Sequence, residues 1–480
     1  MNPGSIFIVF VVYTALLFYI TWLTARRAGN RAFFIGNKAS PWFVVAYGMI
    51  GASMSGVTFM SVPGYVGTTH FSYLMVVIGY LFGYYVIATI LMPLYYRMNL
   101  TSIYSYLETR FGFWSYKSGA FYFILSRVLG ASLRMFLVVN VLQIFVFDAW
   151  HIPFGVTVLV FILLVLLYTY KGGIKTIIWT DTVQTTFMLL ALISSILFII
   201  NDLGGSFTAV VSGVVHSSYT QMFITDWGQR HYFLKDLISG AFIAIVMTGL
   251  DQEMMQKNLS CRSLKDAQKN MFTFSFIMLV VNIIFLFLGA LLYIYASAKG
   301  ISVPARSDDF FPTVAIQYLG PVAGLIFIIG LISAAYPSAD GALTSLTTSF
   351  SIDFLGLGKK EDMDEKQKTK IRYRVHAAFA FVLLLVIIIF RAINDTAVID
   401  KLFTIAGYTY GPLLGLYSFG LFTKFRIRDK FVPYIVILSP VLCYIISLFT
   451  ARWLHYQFGF ELLILNGMIT FAGLLFIRNR

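Results

Sequence analysis

Thirteen long apolar segments, separated by short polar loops, limit the fold of this chain more than any other feature. An α-helix needs about 20 apolar residues to cross a bilayer, and most of the segments approach that length. Only 12% of the residues are charged, whereas soluble proteins have about 25%. The sequence therefore predicts an all-α polytopic membrane protein with thirteen transmembrane helices, roughly at 5–25, 41–66, 71–97, 119–147, 153–170, 176–200, 236–252, 272–297, 320–355, 375–392, 399–422, 431–449 and 459–477.

Most of the 35 lysines and arginines fall in alternate loops on one side of the predicted membrane. Such an excess marks the cytoplasmic side, so we expect the amino terminus outside and the carboxyl terminus in the cytoplasm. The loops rich in lysine and arginine contain Arg26 and Arg27, residues 31–38, 359–374 and 424–430, and the last three residues of the sequence. This bias explains the net charge of +14 without a nucleic-acid partner. We expect a multi-pass protein of the cell (inner) membrane. Its first segment is expected to remain as a helix, because no signal-peptide cleavage site follows it.

The order of the spans predicts a single transmembrane transporter domain over residues 1–480. Two consecutive groups of five spans must have opposite orientations, which is the inverted repeat of many secondary transporters. The predicted parts are a first helix and cytoplasmic loop at 1–40, a first repeat at 41–200, a second at 236–422, and two accessory helices at 431–480. Because neither a phosphate-binding loop nor a catalytic motif occurs, we expect an ion-driven transporter and not an enzyme.

The second span is poorly suited to a continuous helix. Glycines and a proline interrupt residues 46–65, and Ser53, Ser55 and Thr58 fall near its centre. Freed backbone groups in a membrane must find other partners, so such a break often holds a substrate and its coupling ion. Small residues at this spacing also allow close helix packing, and the stretch alone does not decide between the two explanations.

The ninth span carries a second unusual stretch around Pro337. Proline cannot donate to the carbonyl four residues earlier, so the carbonyl of Ser333 is free, and Ala334, Ser338 and Gly341 share one helix face. Hydroxyl and carbonyl oxygens suit a hard cation such as sodium. Packing within the helix bundle explains the same residues and, for this stretch alone, is the simpler explanation.

Two carboxylates, Asp181 in the sixth span and Asp340 in the ninth, raise the case for an ion site. An ionisable group inside a membrane is costly and indicates function. If the two face each other, they need a cation between them or a shared proton. Asp181 could equally cap a helix at the interface.

Arg134 lies in the middle of the fourth span. Its planar guanidinium suits a carboxylate, so it could bind an acidic substrate, or else serve as a structural partner for carbonyls or for Asp181 or Asp340. Arg127 is nearer the cytoplasmic end, and we expect it to reach the interface and to be structural. The six histidines have no metal-binding spacing, and we expect no obligatory protein partner.

Several motifs together resemble the sodium:solute symporter family, which includes sodium-coupled galactose, proline, pantothenate and sialic acid transporters. They are Gly-Ala-Ser-Met-Ser-Gly at 51–56, Gly-Gly-Ile-Lys-Thr-Ile-Ile-Trp-Thr-Asp-Thr-Val-Gln at 172–184, Gly-Leu-Asp-Gln at 249–252, the small residues around Ser338, and Ala-Gly-Tyr-Thr-Tyr-Gly-Pro-Leu-Leu-Gly at 406–415. The resemblance covers almost the whole chain. It implies a LeuT-type 5+5 inverted repeat over spans two to eleven, with one extra helix before and two after.

The resemblance also implies a sodium site between spans two and nine, formed by Gly51, Met54, Ala334 and Ser338. Pro337 departs from the family pattern, because a hydroxyl is expected there. Some members use a second sodium near the aspartate equivalent to Asp181, where Asp340 of this chain adds a charge. One sodium ion, or two, is therefore expected.

The same resemblance places the solute beside Ser53, Ser55 and Thr58, with Arg134 where sialic acid transporters hold the substrate carboxylate. Neutral-sugar members carry glutamine at the position of Thr58, which argues against a galactose-like solute.

The expected function is sodium-coupled import of a small organic solute by alternating access. Sialic acid or another carboxylate-bearing sugar is the first candidate for the solute. The alternatives are a neutral sugar or proline-like amino acid, proton coupling through Asp181 and Asp340, and a transport-dead receptor. A receptor usually carries a signalling domain, and we expect none here.

Overall fold

The computed structural model describes residues 3–25, 29–360, 362–393, 398–454 and 456–479, and it contains helices but no β-strand over these ranges. Arg26, Arg27 and Arg480 of the predicted cytoplasmic face lie outside them. The helices are α1 Pro3–Ala25, α2 Asn30–Ile35, α3 Trp42–Thr69, α4 Tyr73–Val86, α5 Met92–Arg97, α6 Ser105–Arg110, α7 Phe113–Leu142, α8 Phe154–Leu203, α9 Phe207–Val215, α10 Phe233–Ala244, α11 Gln252–Leu259, α12 Leu264–Lys299, α13 Phe310–Thr313, α14 Gly320–Ser349, α15 Glu365–Ile393, α16 Val398–Phe422, α17 Val432–Trp453 and α18 Leu462–Phe476.

Every predicted span coincides with a helix, although the helices differ in length. Within the described residues, nine are long and apolar enough to cross a membrane, or ten if one bent pair counts as a span. The helical stretches Phe154–Tyr170 and Leu462–Phe476 are apolar but shorter. The positions of the spans are thus confirmed, whereas the count of thirteen remains a prediction.

The predicted fifth and sixth spans join in α8, which bends sharply at Gly173. This residue has φ 52° and ψ −145°, a conformation that side chains other than hydrogen rarely tolerate. A Cβ atom there would also lie 2.5 Å from ring atoms of Phe33, so it would not fit. The glycine therefore allows the bend, and Asp181 lies in the part of α8 that follows it.

Two breaks, one in each half of the chain, organise the interior. In α3 the regular helix is interrupted at Ser55, which has φ 51° and ψ 175°. The seventh span breaks between its segments Phe233–Gly249 and Gln252–Leu259, which meet at 65°. Each break falls in the first span of a predicted five-span repeat. This correspondence agrees with an inverted repeat, in which both broken helices meet at the binding site.

Small residues allow the helices around these breaks to pack closely. A Cβ atom on Gly79 of α4 would lie 2.9 Å from the Cα of Gly240 in α10, so both helices need glycine at their contact. The helix α14 packs against α3, α7 and α8 and is buried along most of its length. Pro337 lies inside α14 without ending it. The ninth span is therefore a continuous helix that faces the broken second span.

Candidate functional site

A cavity of about 70 Å³ lies beside both breaks. Its walls come from α3, α4, α7, α12, α16 and the broken seventh span. Ser53, Ser55 and Thr58, the three predicted substrate residues of the second span, all line it. The structure therefore brings these three residues together with the break at one internal cavity.

Ser55 shapes the cavity wall through its backbone. Its dihedral angles fall in a region that residues other than glycine rarely adopt, so α3 is strained there. The hydroxyl of Ser55 accepts a long hydrogen bond of 3.4 Å from the backbone N–H of Val57, which begins the next helical turn. Gly56 then lets α3 pass close to α7, because a Cβ there would lie 2.6 Å from Cγ2 of Val138.

Arg134, the predicted carboxylate-binding residue, lines the same cavity from α7. Its side chain is only 8% exposed, and within the described residues no carboxylate lies within 4 Å of its guanidinium. Its Nε is buried and has no hydrogen-bond partner in the described part of the chain. A buried cation without a counter-charge is costly, so the guanidinium favours an anion in the cavity.

Arg127 also lines the cavity and does not reach the interface. It is 5% exposed and forms ion pairs with Glu253 and, at 3.6 Å, with Asp251 of the broken seventh span. The expectation that Arg127 extends to the membrane surface is therefore wrong. Its charge is compensated inside the bundle by two buried carboxylates.

The predicted sodium residues Gly51, Met54, Ala334 and Ser338 are all buried, and the helices that carry them, α3 and α14, pack against each other. Within the described residues the Ser338 hydroxyl has no hydrogen-bond partner, so its oxygen is available to a ligand. The backbone N–H of Gly51 donates to Oγ1 of Thr185 in α8 at 3.1 Å, which orients this turn of α3. Hydroxyl and carbonyl oxygens of this kind suit sodium.

The predicted second ion site contains a residue that sequence reasoning missed. Oδ2 of Asp181 lies 2.7 Å from the ammonium of Lys257, while Oδ2 of Asp340 accepts a hydrogen bond of 2.7 Å from Tyr168. The second oxygen of each carboxylate is buried and has no hydrogen-bond partner among the residues that the structure describes. Asp181 lies within α8 and does not cap a helix end, so that alternative is wrong.

A sequence signal for this arrangement was present but weak. Glu253 and Lys257 lie four residues apart, as in a helical ion pair, directly after an apolar span. The same pattern is typical of an exposed helix end. A segment between an apolar span and a basic loop is normally interpreted as such an end. The sharp bend turns it inward, so both side chains are only 1% exposed.

Comparisons with known proteins identify the family of this chain. The profile described as "Sodium:solute symporter family" matches residues 33–428. The sodium/sialic acid symporter SiaT of Proteus mirabilis is 24% identical over 433 residues, which cover 87% of this chain and 84% of SiaT. The human sodium-coupled monocarboxylate transporter 1 is 24% identical over 437 residues, covering 86% and 68% of the two chains. The human sodium/iodide cotransporter is 24% identical over 429 residues, covering 84% and 63%.

Solved structures show the same fold. The substrate-bound outward-open state of a Na+-coupled sialic acid symporter superposes with a TM-score of 0.83 at 20% identity, covering 98% of this chain and 97% of that one. Mhp1, a nucleobase-cation-symport-1 family transporter, has a TM-score of 0.56 at 13% identity, covering 93% of each chain. The LeuT-type architecture expected from the resemblance is confirmed. Because the family profile matches most of its length, the chain belongs to the sodium:solute symporter family.

Proposed function

We propose that this symporter imports a small solute carrying a carboxylate, with sodium as the coupling ion. The observation that carries the proposal is the guanidinium of Arg134, buried at the cavity with no protein carboxylate within 4 Å in the described residues. Such a group binds a carboxylate through two parallel hydrogen bonds. Ser53 and Thr58 supply hydroxyl groups on the same cavity for the neutral part of the solute.

The relatives named above support an anionic solute. Sialic acids and monocarboxylates both carry a carboxylate, and iodide is also an anion. Among these, sialic acid or another carboxylate-bearing sugar is our first proposal. The cavity of about 70 Å³ holds roughly five water molecules. A sugar with a carboxylate is larger than this space, so its binding requires a wider outward-facing state.

Sodium coupling is proposed to work through α3 and α14. A sodium ion held by backbone oxygens near Gly51, Met54 and Ala334 and by the Ser338 hydroxyl would order the broken helix, beside which the solute then binds. The loaded bundle would then turn inward. Each positive charge that enters contributes roughly 2.3 kcal/mol at a potential of about 100 mV.

The proposal also includes the surroundings of the protein. We place it in the cell (inner) membrane with the amino terminus outside, because lysine and arginine concentrate in alternate loops. The lipid bilayer, sodium and the solute are its proposed partners.

A thermal-stability screen of the purified protein tests this function. Carboxylates, including sialic acid and short monocarboxylates, are compared with their methyl esters in sodium and in potassium. We expect at least one carboxylate to stabilise the wild type in sodium only, and its ester to have no effect. Arg134→Met abolishes this stabilisation, whereas Arg452→Met, at an exposed position in α17, retains it. Equal stabilisation by acid and ester contradicts the role of Arg134, and equal stabilisation in both salts contradicts sodium coupling.

A second candidate is proton coupling at the predicted ion site. It is supported by Asp340, whose one oxygen is bonded to Tyr168 while the other is buried without a partner. Substrate-evoked currents that follow pH and ignore sodium would favour it. In that case Asp340→Asn abolishes coupling, whereas Ser338→Ala leaves it intact.

A further inference from the structure

The ammonium group of Lys257 lies deep inside the helix bundle. It is 2.7 Å from Oδ2 of Asp181 and 3.4 Å from Oε1 of Glu253, and its side chain is only 1% exposed. Lys257 belongs to α11, the inner half of the broken seventh span, whereas Asp181 belongs to α8. A positive charge fixed to the protein therefore connects the broken seventh span with the predicted second ion site.

Asp181 lies against the part of α3 that leads into the predicted sodium site. A Cβ atom on Gly48 would be 3.0 Å from the Cβ of Asp181, a tight contact, so the glycine lets α3 and α8 approach closely here. Gly51, one turn later, bonds to Thr185 on the same face of α8. A cation that neutralises Asp181 is thus about one helical turn from the sodium residues of α3.

Two basic side chains form ion pairs with three carboxylates in this part of the described structure. Arg127 pairs with Asp251 and Glu253, and Lys257 pairs with Asp181 and Glu253. A fourth carboxylate, Asp340, accepts a hydrogen bond from the hydroxyl of Tyr168. Because a buried carboxylate without a positive partner is costly, removing Lys257 would leave Asp181 in need of another cation.

We propose that the ammonium of Lys257 takes the place of a transported cation at Asp181, so that the protein binds a single sodium ion, between α3 and α14. The inference rests on the sodium coupling proposed above and deepens it. It assigns Lys257 as a positioning residue that fixes how many sodium ions the protein binds.

The position of Glu253 extends this role toward the solute cavity. Glu253 shares Lys257 with Asp181 and also pairs with Arg127, which lines the cavity. Gly341 of α14 makes room for the Glu253 carboxylate, because a Cβ there would overlap it. Gly341 is three residues beyond Ser338 in α14. The linked ion pairs that lead from Asp181 through Lys257 and Glu253 to Arg127 therefore pass beside the helix that carries Ser338.

The experiment measures how many ²²Na⁺ ions bind per molecule of the purified full-length protein. We expect one ion for the wild type and for Lys257→Arg, which keeps the fixed positive charge. We expect two ions for Lys257→Met, because Asp181 then recruits a second cation. Lys299→Met is the matched control, since it breaks an exposed ion pair of 2.9 Å with Asp202, and it should bind one ion.

Each outcome separates this inference from the proposed function. A wild type that binds no sodium contradicts sodium coupling itself. A wild type that binds two ions, or a folded Lys257→Met that still binds one, overturns the role of Lys257 while sodium coupling stands.

Asp181→Asn keeps the test decisive if Lys257→Met does not fold. Since Lys257 and not sodium occupies Asp181, this variant should still bind one ion, with its dissociation constant changed less than about three-fold. Loss of all sodium binding in a folded Asp181→Asn protein would identify Asp181 as a sodium ligand and overturn the inference.

Discussion

The hydroxyl of Tyr410 donates a hydrogen bond of 2.7 Å to Oδ2 of Asp251, which joins α16 to the inner half of the broken seventh span. The other oxygen of Asp251 accepts hydrogen bonds from the backbone N–H groups of Glu253, at 2.9 Å, and Met254, at 3.2 Å. Asp251 therefore caps α11 and anchors it at the same time.

Tyr410→Phe should lower stability because it leaves a buried carboxylate oxygen with one partner fewer. Hydrogen bonds to charged groups contribute roughly 1.5–3 kcal/mol, so we expect a loss in this range in the free energy of unfolding, measured by denaturant titration in detergent. Tyr434→Phe, at a side chain 70% exposed, is the control and should change stability little. Equal losses in both variants would mean that the bond to Asp251 is unimportant for stability.

Ser338→Ala should have opposite effects in sodium and in potassium. The Ser338 hydroxyl is buried without a partner, so removing it in potassium is neutral or slightly stabilising. In sodium the variant loses a ligand, and we expect the sodium concentration for half-maximal stabilisation to rise about ten-fold, which corresponds to about 1.4 kcal/mol. Thermal unfolding across a sodium titration measures both effects.

Ser195→Ala provides the control for this measurement. Its hydroxyl is buried in α8 but donates a hydrogen bond of 2.8 Å to the carbonyl of Ala191. The variant should therefore leave the sodium titration unchanged. If Ser338→Ala has the same titration as the wild type, the hydroxyl does not contact the ion.

Much of the fold followed from patterns that are local in sequence. Long apolar runs located the spans, and the boundary that they predicted between the fifth and the sixth contains the bend at Gly173. The glycine-rich second span predicted a break in α3. Its exact position at Ser55 was not predictable, because a serine rarely adopts these dihedral angles and the neighbouring glycines tolerate them more easily. Pro337 is the opposite case, because a residue that often interrupts a helix lies here inside the continuous helix α14.

The charged part of the site could be predicted only in part. The sequence identified Asp181, Asp340 and Arg134 because isolated charges in apolar spans are conspicuous. It did not identify Lys257, because this residue lies near a basic loop and its partner Asp181 is 76 positions away. Pairing over such a separation depends on the bend of the seventh span, which is a property of tertiary structure.

Tyr65→Phe should loosen a hydrogen-bonded cluster at the predicted outer end of the bundle. The Tyr65 hydroxyl donates to Oδ1 of Asp400 at 3.0 Å and lies 3.0 Å from Nε2 of His231, while Arg230 pairs with Asp400 at 3.3 Å. The cluster connects α3, α16 and the outer loop before α10. If the loss of this hydrogen bond destabilises the closed outer end by about 1 kcal/mol, the fraction of molecules in which this end is open should rise about five-fold.

The labelling rate of a cysteine in the cavity measures this opening. In a Phe403→Cys background, a membrane-impermeant thiol reagent added outside should react about five-fold faster when Tyr65→Phe is present. The native Cys261 and Cys443 are fully buried and should not react. Tyr85→Phe, at a side chain 61% exposed, should leave the rate unchanged. An unchanged rate with Tyr65→Phe would mean that the cluster does not hold the outer end closed.

Ser55→Gly and Ser53→Gly should change stability in opposite directions, although the two serines are separated by one residue. Ser55 has φ 51° and ψ 175°, where a residue other than glycine costs about 1–3 kcal/mol, whereas Ser53 is helical and glycine there costs about 0.5–1 kcal/mol. The hydroxyl of Ser55 makes only the long bond to Val57, so little is lost with it. We therefore expect Ser55→Gly to raise the free energy of unfolding by about 1 kcal/mol and Ser53→Gly to lower it, both measured in potassium without solute. If both variants are destabilised alike, the backbone at Ser55 is not strained, and the break in α3 must be maintained by its neighbours.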